Sequence, residues 1–156
     1  MLLKHPFYEA TAEVLIEDSV IELINPHRQL KPRAKEAGGI LLGYRRGAHI
    51  HIVAATVPGL RDRRSRVAFW RRDPSHQARA LEEWRRSNST MDYIGEWHTH
   101  PEVRPSPSGV DFSEWRAICV SREEMMVFMI LGTDQIWIGI GHCQEIREAI
   151  IGTGTS

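Results

Sequence analysis

From Gly95 to Trp115 the chain reads GEWHTHPEVRPSPSGVDFSEW, and this stretch decides the fold class and the chemistry to look for. His98 and His100 are two apart, so on an extended strand both imidazoles project from one face and can converge on one ion. Asp111 follows eleven residues after His100, beyond Pro101, Pro105, Pro107 and Gly109, a segment that can neither continue a strand nor begin a long helix before Ser108. The chain must turn there, so Asp111 can fold back over the histidines while Ser108 is placed to cap a helix starting at Asp111. Two neutral imidazoles and one carboxylate leave a fourth tetrahedral position for water, the pattern of a catalytic zinc site and not of a closed structural one. The expectation is one Zn2+ per chain, held by His98, His100 and Asp111.

The chain carries its own control. His49 and His51 are also two apart, and Asp62 also lies eleven residues beyond the second histidine. What differs is the filling. His51 is followed by IVAATV, an apolar, β-branched run that stays extended to Pro58. At about 3.3 Å per residue that run carries the chain roughly 23 Å away and leaves four residues for Asp62 to return. His49 and His51 therefore read as surface strand residues.

A catalytic zinc needs a general base outside its coordination shell. Glu96 lies two residues before His98, on the same strand face. Glu36 is distant in sequence but opens EAGGILLGYRR, where a carboxylate at the mouth of an apolar, glycine-containing strand is hard to explain as simple solvation. The residues alone leave both open.

The two blocks together resemble a known family. His98, Thr99, His100, seven residues, then Ser108, two more and Asp111 match the H-[ST]-H-x7-S-x-x-D signature of the JAMM metalloproteases, also called JAB or MPN-plus. Glu36 with Gly38, Gly39, Ile40, Leu41, Leu42 and Gly43 is similar to that family's upstream glutamate and its small-residue, glycine-ended strand. The likeness in order of elements runs from about Val14 to Ile140. It implies that His98, His100 and Asp111 hold zinc, that Glu36 is the base and later protonates the leaving amine, and that Ser108 hydrogen-bonds the developing oxyanion.

Within the family, the GEWHTHPE block and the following P-S-x-x-D-x-x-x-W look like the prokaryotic branch, most like the deconjugating JAMM peptidases of antiviral CBASS operons. That likeness implies an isopeptidase or peptidase acting at the C-terminal tail of a ubiquitin-like modifier or of a cGAS-like nucleotidyltransferase conjugated to target proteins. Processing of a sulfur-carrier or ubiquitin-like precursor is the alternative within the enzyme class, and a non-catalytic MPN scaffold the alternative outside it. The family's cytidine-deaminase-like core raises a deaminase reading, but the P-C-x-x-C block of the zinc deaminases is missing.

Composition fits one domain spanning residues 1–156, with 42% hydrophobic residues and a core over about 12–142. Lys+Arg and Asp+Glu are both 20, which offers nothing to nucleic acid. The longest strongly apolar run, Met125 to Leu131, is far too short for a bilayer, so no membrane is expected and a cytoplasmic location is. Cys119 and Cys143 are too few for a disulfide framework. Arg61 to Arg86 holds nine arginines against Asp62, Asp73, Glu82 and Glu83, a local excess of five that would suit an acidic partner.

The fold class expected is α/β, a single-domain JAB/MPN fold with a mixed sheet flanked by helices. Strands are expected at Val14 to Glu17, Gly39 to Tyr44, Ile50 to Val57, Met91 to Trp97, Met126 to Leu131 and Gln135 to Ile140, the last two as a hairpin. Helices are expected from Asp18 or Ser19 to about Gln29, from Pro74 to Asn88 and from Asp111 to Val120. The inward faces are Val20, Leu23 and Ile24 in the first and Ala78, Leu81 and Trp84 or Arg85 in the second. Trp97 should be core and Trp115 should wall the site. The final IGTGTS reads as a frayed tail.

Overall fold

The computed structural model describes residues 1–151. Strand β8, Met126–Leu131, is buried at every position, and its alternate residues feed two different cores. Val127, Met129 and Leu131 pack with Val20 and Ile24 of helix α1, Asp18–Ile24. Met126, Phe128 and Ile130 pack with Trp115 and Cys119 of helix α3, Gly109–Arg122. A strand apolar on both faces belongs in the middle of a sheet covered on both sides.

Around it run β1 (Leu2–Lys4), β2 (Glu13–Ile16), β3 (Gly38–Arg46), β4 (His49–Ala55), β7 (Asp92–Thr99), β9 (Ile136–His142), β10 (Glu145–Glu148) and β11 (Ile150–Ile151). With β8 they form one nine-stranded sheet in the order β10-β9-β8-β7-β3-β4-β2-β1-β11. The pairs β2–β4 and β7–β8 are parallel and the rest antiparallel, so the sheet is mixed as expected. Only Ala149 separates β10 from β11, although these strands stand at opposite ends of that order, so the sheet curls until its ends meet. Leu3 and Ala149 join the larger core, which therefore reaches beyond 12–142. Ile151 pairs with Leu3 and is strand, not frayed tail, while the remainder of that tail, 152–156, lies outside the described residues.

The first two helices depart from expectation. Helix α1 ends at Ile24, and Asn25–His27 form a short 3-10 turn, because Pro26 has no N–H to donate to the Glu22 carbonyl and its ring crowds that group. Gln29 is thereby freed for another role. Glu17 stands at the N-cap of α1, without a side-chain cap, and Leu23 is exposed. Helix α2, Ser75–Arg86, turns His76 inward with Ala80 and Glu83 partly covered, leaving Leu81 46% and Trp84 38% exposed. The buried polar anchor at His76, described below, sets that face in place of the expected Ala78, Leu81 and Trp84.

A small hairpin, β5 (Arg63–Ser65) and β6 (Ala68–Trp70), stands apart from the main sheet. It packs against the start of β3, where a Cβ on Gly38 would sit 2.7 Å from the Phe69 ring. Glycine at 38 is thus a condition of the hairpin's docking. No helix among the described residues is long and apolar enough to cross a membrane.

Candidate metal centre

Strand β7 runs between β3 and β8, with His98 opposite Gly38 on one side and Ile130 on the other. Past the strand's end the His100 amide donates to Leu131 O at 2.9 Å, which holds the second histidine in line with the first. The proline-rich segment then turns back, as its composition demands. It is pinned to the β8–β9 turn by the Thr133 amide on Glu102 O (2.7 Å) and the Gln135 amide on Val103 O (3.0 Å). Helix α3 opens immediately afterwards, two residues earlier than expected. Ser108 caps it: its hydroxyl accepts from the Asp111 amide at 3.1 Å, and Asp111 accepts in return from the Ser108 amide at 2.8 Å.

This capping box aims Asp111 at the histidines. The Nε2 atoms of His98 and His100 lie 3.0 Å apart. One Asp111 oxygen lies 3.3 Å from His98 Nε2 and the other 3.4 Å from His100 Nε2. A tetrahedral ion bonded at about 2.0–2.1 Å spaces its ligands roughly 3.3–3.4 Å apart; the two Asp111 contacts, one through each oxygen, have this length and the histidine nitrogens stand slightly closer together, and two imidazoles with a carboxylate are a donor set zinc takes. All three side chains are largely buried, 11–14% exposed.

Glu36 comes from a different part of the chain, just before β3. It is 6% exposed, and one carboxylate oxygen and one ring nitrogen from each of His98 and His100 lie within 4.8 Å of one another. The Asp111 oxygens lie closer to both nitrogens. Glu36 is therefore near enough to reach a group held between the histidines while standing outside the tighter trio. Burial pushes its carboxyl up to about 7, against the pull of His98 and His100. Asp111 is held far below the usual carboxylate range: burial opposes this, but hydrogen bonds from His100, His98 and the Ser108 amide prevail. His100 is raised, since Asp111, Glu36 and Glu102 outweigh its burial. His100 Nδ1 is buried without a hydrogen-bond partner among the described residues.

Glu96, the other candidate base, is already engaged. Its Oε1 accepts from Arg71 Nη2 at 2.8 Å and from the Tyr93 hydroxyl at 2.9 Å. The cleft itself is about 280 Å³, lined by Glu36, Phe69, Trp70, Arg71, Glu96, His98, Asp111, Glu114 and Trp115, among others. A larger hollow of about 570 Å³ between α2 and β7 shares Arg71 with it. Trp115 is 2% exposed, stacked between Phe128 (4.7 Å) and Trp137 (5.5 Å) with its ring 5.8 Å from that of His98, so it is both wall and core. Trp97 is core, 1% exposed. Cys119 is buried and Cys143 exposed.

The structure treats the second histidine pair differently. His51 Nε2 meets Glu17 at 2.6 Å, and His49 Nδ1 accepts from the Glu13 amide at 3.2 Å. Asp62 turns inward to His76 Nε2 at 2.6 Å and accepts from the amides of Gly59, Arg72 and Asp73. On its other side His76 Nδ1 meets the Thr56 hydroxyl at 2.5 Å. Sequence reasoning missed this buried Asp62–His76–Thr56 chain and a second network through Gln29 and Thr99. A histidine inside the α2 repeat, four residues before Ala80, was the one available signal for the first.

Clustered imidazoles and a carboxylate, with a second, buried carboxyl beside them at a strand-to-helix junction, suit a metal-dependent hydrolase. The chain belongs to the prokaryotic JAB family: the model described as prokaryotic homologs of the JAB domain matches residues 19–148. Among similar proteins is a CD-NTase/cGAS isopeptidase of Vibrio cholerae serotype O1, 40% identical over 84% of this chain and 83% of its own. Another of that description, from Pseudomonas aeruginosa, is 41% identical over 77% of each. The solution structure of protein DSY2949 from Desulfitobacterium hafniense shares the fold, with a TM-score of 0.61 at 20% identity over 86% of this chain and 88% of that one. The protein is a JAMM-type hydrolase, a deconjugating isopeptidase of this family.

Proposed function

We propose that His98, His100 and Asp111 hold one zinc ion and that Glu36 is the general base of an isopeptidase releasing a CD-NTase/cGAS-like protein from its conjugates. One observation carries the assignment of the base: Glu36 is buried beside the histidine nitrogens, with a carboxyl pushed up to about 7, while Glu96 is tied to Arg71 and Tyr93. A zinc ion held there supplies a bound water with a pKa near 7 and polarises the scissile carbonyl. Glu36 takes the proton from the attacking water and delivers it to the nitrogen of the leaving lysine as the amide bond breaks. Ser108 retains a hydroxyl proton to donate, because its oxygen is the acceptor in the helix cap. That proton meets the oxyanion developing on the substrate carbonyl, a contact worth about 3 kcal/mol.

The choice of substrate follows the relatives, whose identity to this chain spans the site and most of the fold. The same reading assigns the protein to the cytoplasm. Of the nine arginines from Arg61 to Arg86, Arg71, Arg79 and Arg86 pair with carboxylates, and Arg64 and Arg66 bind backbone carbonyls. Arg63 lies over the Trp70 ring, and Arg61, Arg72 and Arg85 are left to meet an acidic segment of the substrate.

The test is cleavage of a conjugate carrying a CD-NTase C-terminus. Glu36→Gln should lower kcat by about 10²–10⁴ with zinc content unchanged, and Glu96→Gln should cost far less. A greater loss at Glu96 than at Glu36 reverses the assignment of the base, and a purified protein without stoichiometric zinc ends the metal assignment.

A further inference from the structure

Glu36 sits where three segments meet, and its carboxylate is placed by its backbone. On one side the Glu36 amide donates to Ser65 O of the β5–β6 hairpin at 2.7 Å, and Arg64 Nε donates to Glu36 O at 2.8 Å. On the other side the Ala37 amide donates to the Thr99 hydroxyl at 2.9 Å, and the Thr99 amide donates to Ala37 O at 2.9 Å. Thr99 is the residue between the two site histidines. Its side chain points to the opposite face of the strand, where it is fully buried.

Gln29 joins all three segments with one amide group. Its Nε2 donates to Ala34 O (3.1 Å), in the loop leading to Glu36, and to Arg66 O (2.8 Å), at the tip of the hairpin. Its Oε1 accepts from the Thr99 hydroxyl at 2.8 Å. Both donors are thus used, and the side chain is 3% exposed. A buried amide with each of its three bonds on a different segment fixes their relative positions, and losing it takes the acceptor from the buried Thr99 hydroxyl and a donor from each of the Ala34 and Arg66 carbonyls. The residue itself follows the 3-10 turn Asn25–His27, where Arg28 anchors the chain to Gly132 O (2.5 Å) and Gln135 O (3.2 Å).

We propose that Gln29, acting through Thr99, is a positioning residue that holds Glu36 in register with the His98–His100 pair. The inference rests on Glu36 being the general base. Gln29 touches neither substrate nor metal ligand, so its removal loosens the base without removing a contact to substrate. A displacement of the order of 1 Å at a reacting group costs about 10²-fold in rate.

The experiment uses zinc-loaded full-length protein and measures kcat, KM and zinc content on the conjugate for Gln29→Ala, Thr99→Val and Thr99→Ser, each alone and with Glu36→Gln. Gln29→Ala and Thr99→Val should lower kcat by up to about 10²-fold, with KM and zinc content at parent values. Thr99→Ser, which restores the hydroxyl, should recover most of the loss. Combined with Glu36→Gln, neither change should lower the residual rate further, because both act through the same group. If Gln29→Ala does not fold, Thr99→Val, which preserves side-chain shape, gives the same readout. A parent-like kcat, loss of zinc in step with activity, or losses that multiply with Glu36→Gln would overturn the proposal. Should Glu36→Gln itself cleave at the parent rate, it is the assignment of the base that fails, separately from any effect at Gln29.

Discussion

Two segments of this chain carry the same spacing, His-x-His followed by aspartate eleven residues on, and they meet opposite ends. Around His98 the chain turns at once, and the Ser108 cap delivers Asp111 within 3.3–3.4 Å of both imidazoles. Around His49 it stays extended through β4, and Asp62 is spent inside the protein on His76 and three backbone amides. The intervening backbone, not the count of residues, brings the candidate ligands together. The second aspartate is no less committed than the first. It bonds a buried imidazole and anchors the base of the loop that holds the hairpin against Glu36.

Breaking the first trio should have the largest effect. His98→Ala removes a donor that no neighbour can replace, so zinc content by metal analysis and cleavage should both fall to background. Next comes the other aspartate: Asp62→Ala strands buried His76 and three amides, and chemical denaturation should show a loss of about 3–5 kcal/mol. Retention of zinc by the folded fraction would mark that cost as architectural.

A third difference lies in pH. Glu36 has its carboxyl raised from 4.5 to about 7 by burial, so between those values the folded protein holds a proton that the unfolded chain has lost. Stability of the metal-stripped protein should therefore fall as pH rises from about 4.5 to about 7, by on the order of 3 kcal/mol from this group. Denaturation of the parent and of Glu36→Gln at both ends of that window isolates the contribution, and equal slopes would refute it. The smallest effect belongs to His51→Ala, which breaks a half-exposed contact to Glu17: about 0–1 kcal/mol, with zinc and activity unchanged. Zinc loss there would erase the contrast between the two pairs.

Much of the centre was legible in the sequence because its parts are short-range. The His-x-His pair needs only strand alternation, and the Ser108–Asp111 cap only one helical turn. The helix over Ser75–Arg86 and the β8–β9 hairpin follow from local pattern in the same way. The strands that escaped notice, Leu2–Lys4, Arg63–Ser65, Ala68–Trp70, Glu145–Glu148 and Ile150–Ile151, are two to four residues long. Such pieces are too short to show alternation, and the hairpin's three arginines imitate a solvated loop. Gln29 and Thr99 lie 70 residues apart. Nothing in a lone glutamine announces burial, and the role of each residue exists only once the other has arrived. The inward face of α2 was misread for a related reason: His76 is drawn in by Asp62 and Thr56, partners that its own helix does not contain.

The curling of the sheet onto itself bears on how a peptidase of this kind survives its trade. A protein that receives extended tails risks having them, or copies of itself, zip onto any long unpaired strand. Among the described residues the outermost strands are four and two residues long and follow one another in the chain, so no lengthy ladder of vacant amides and carbonyls lies along that rim.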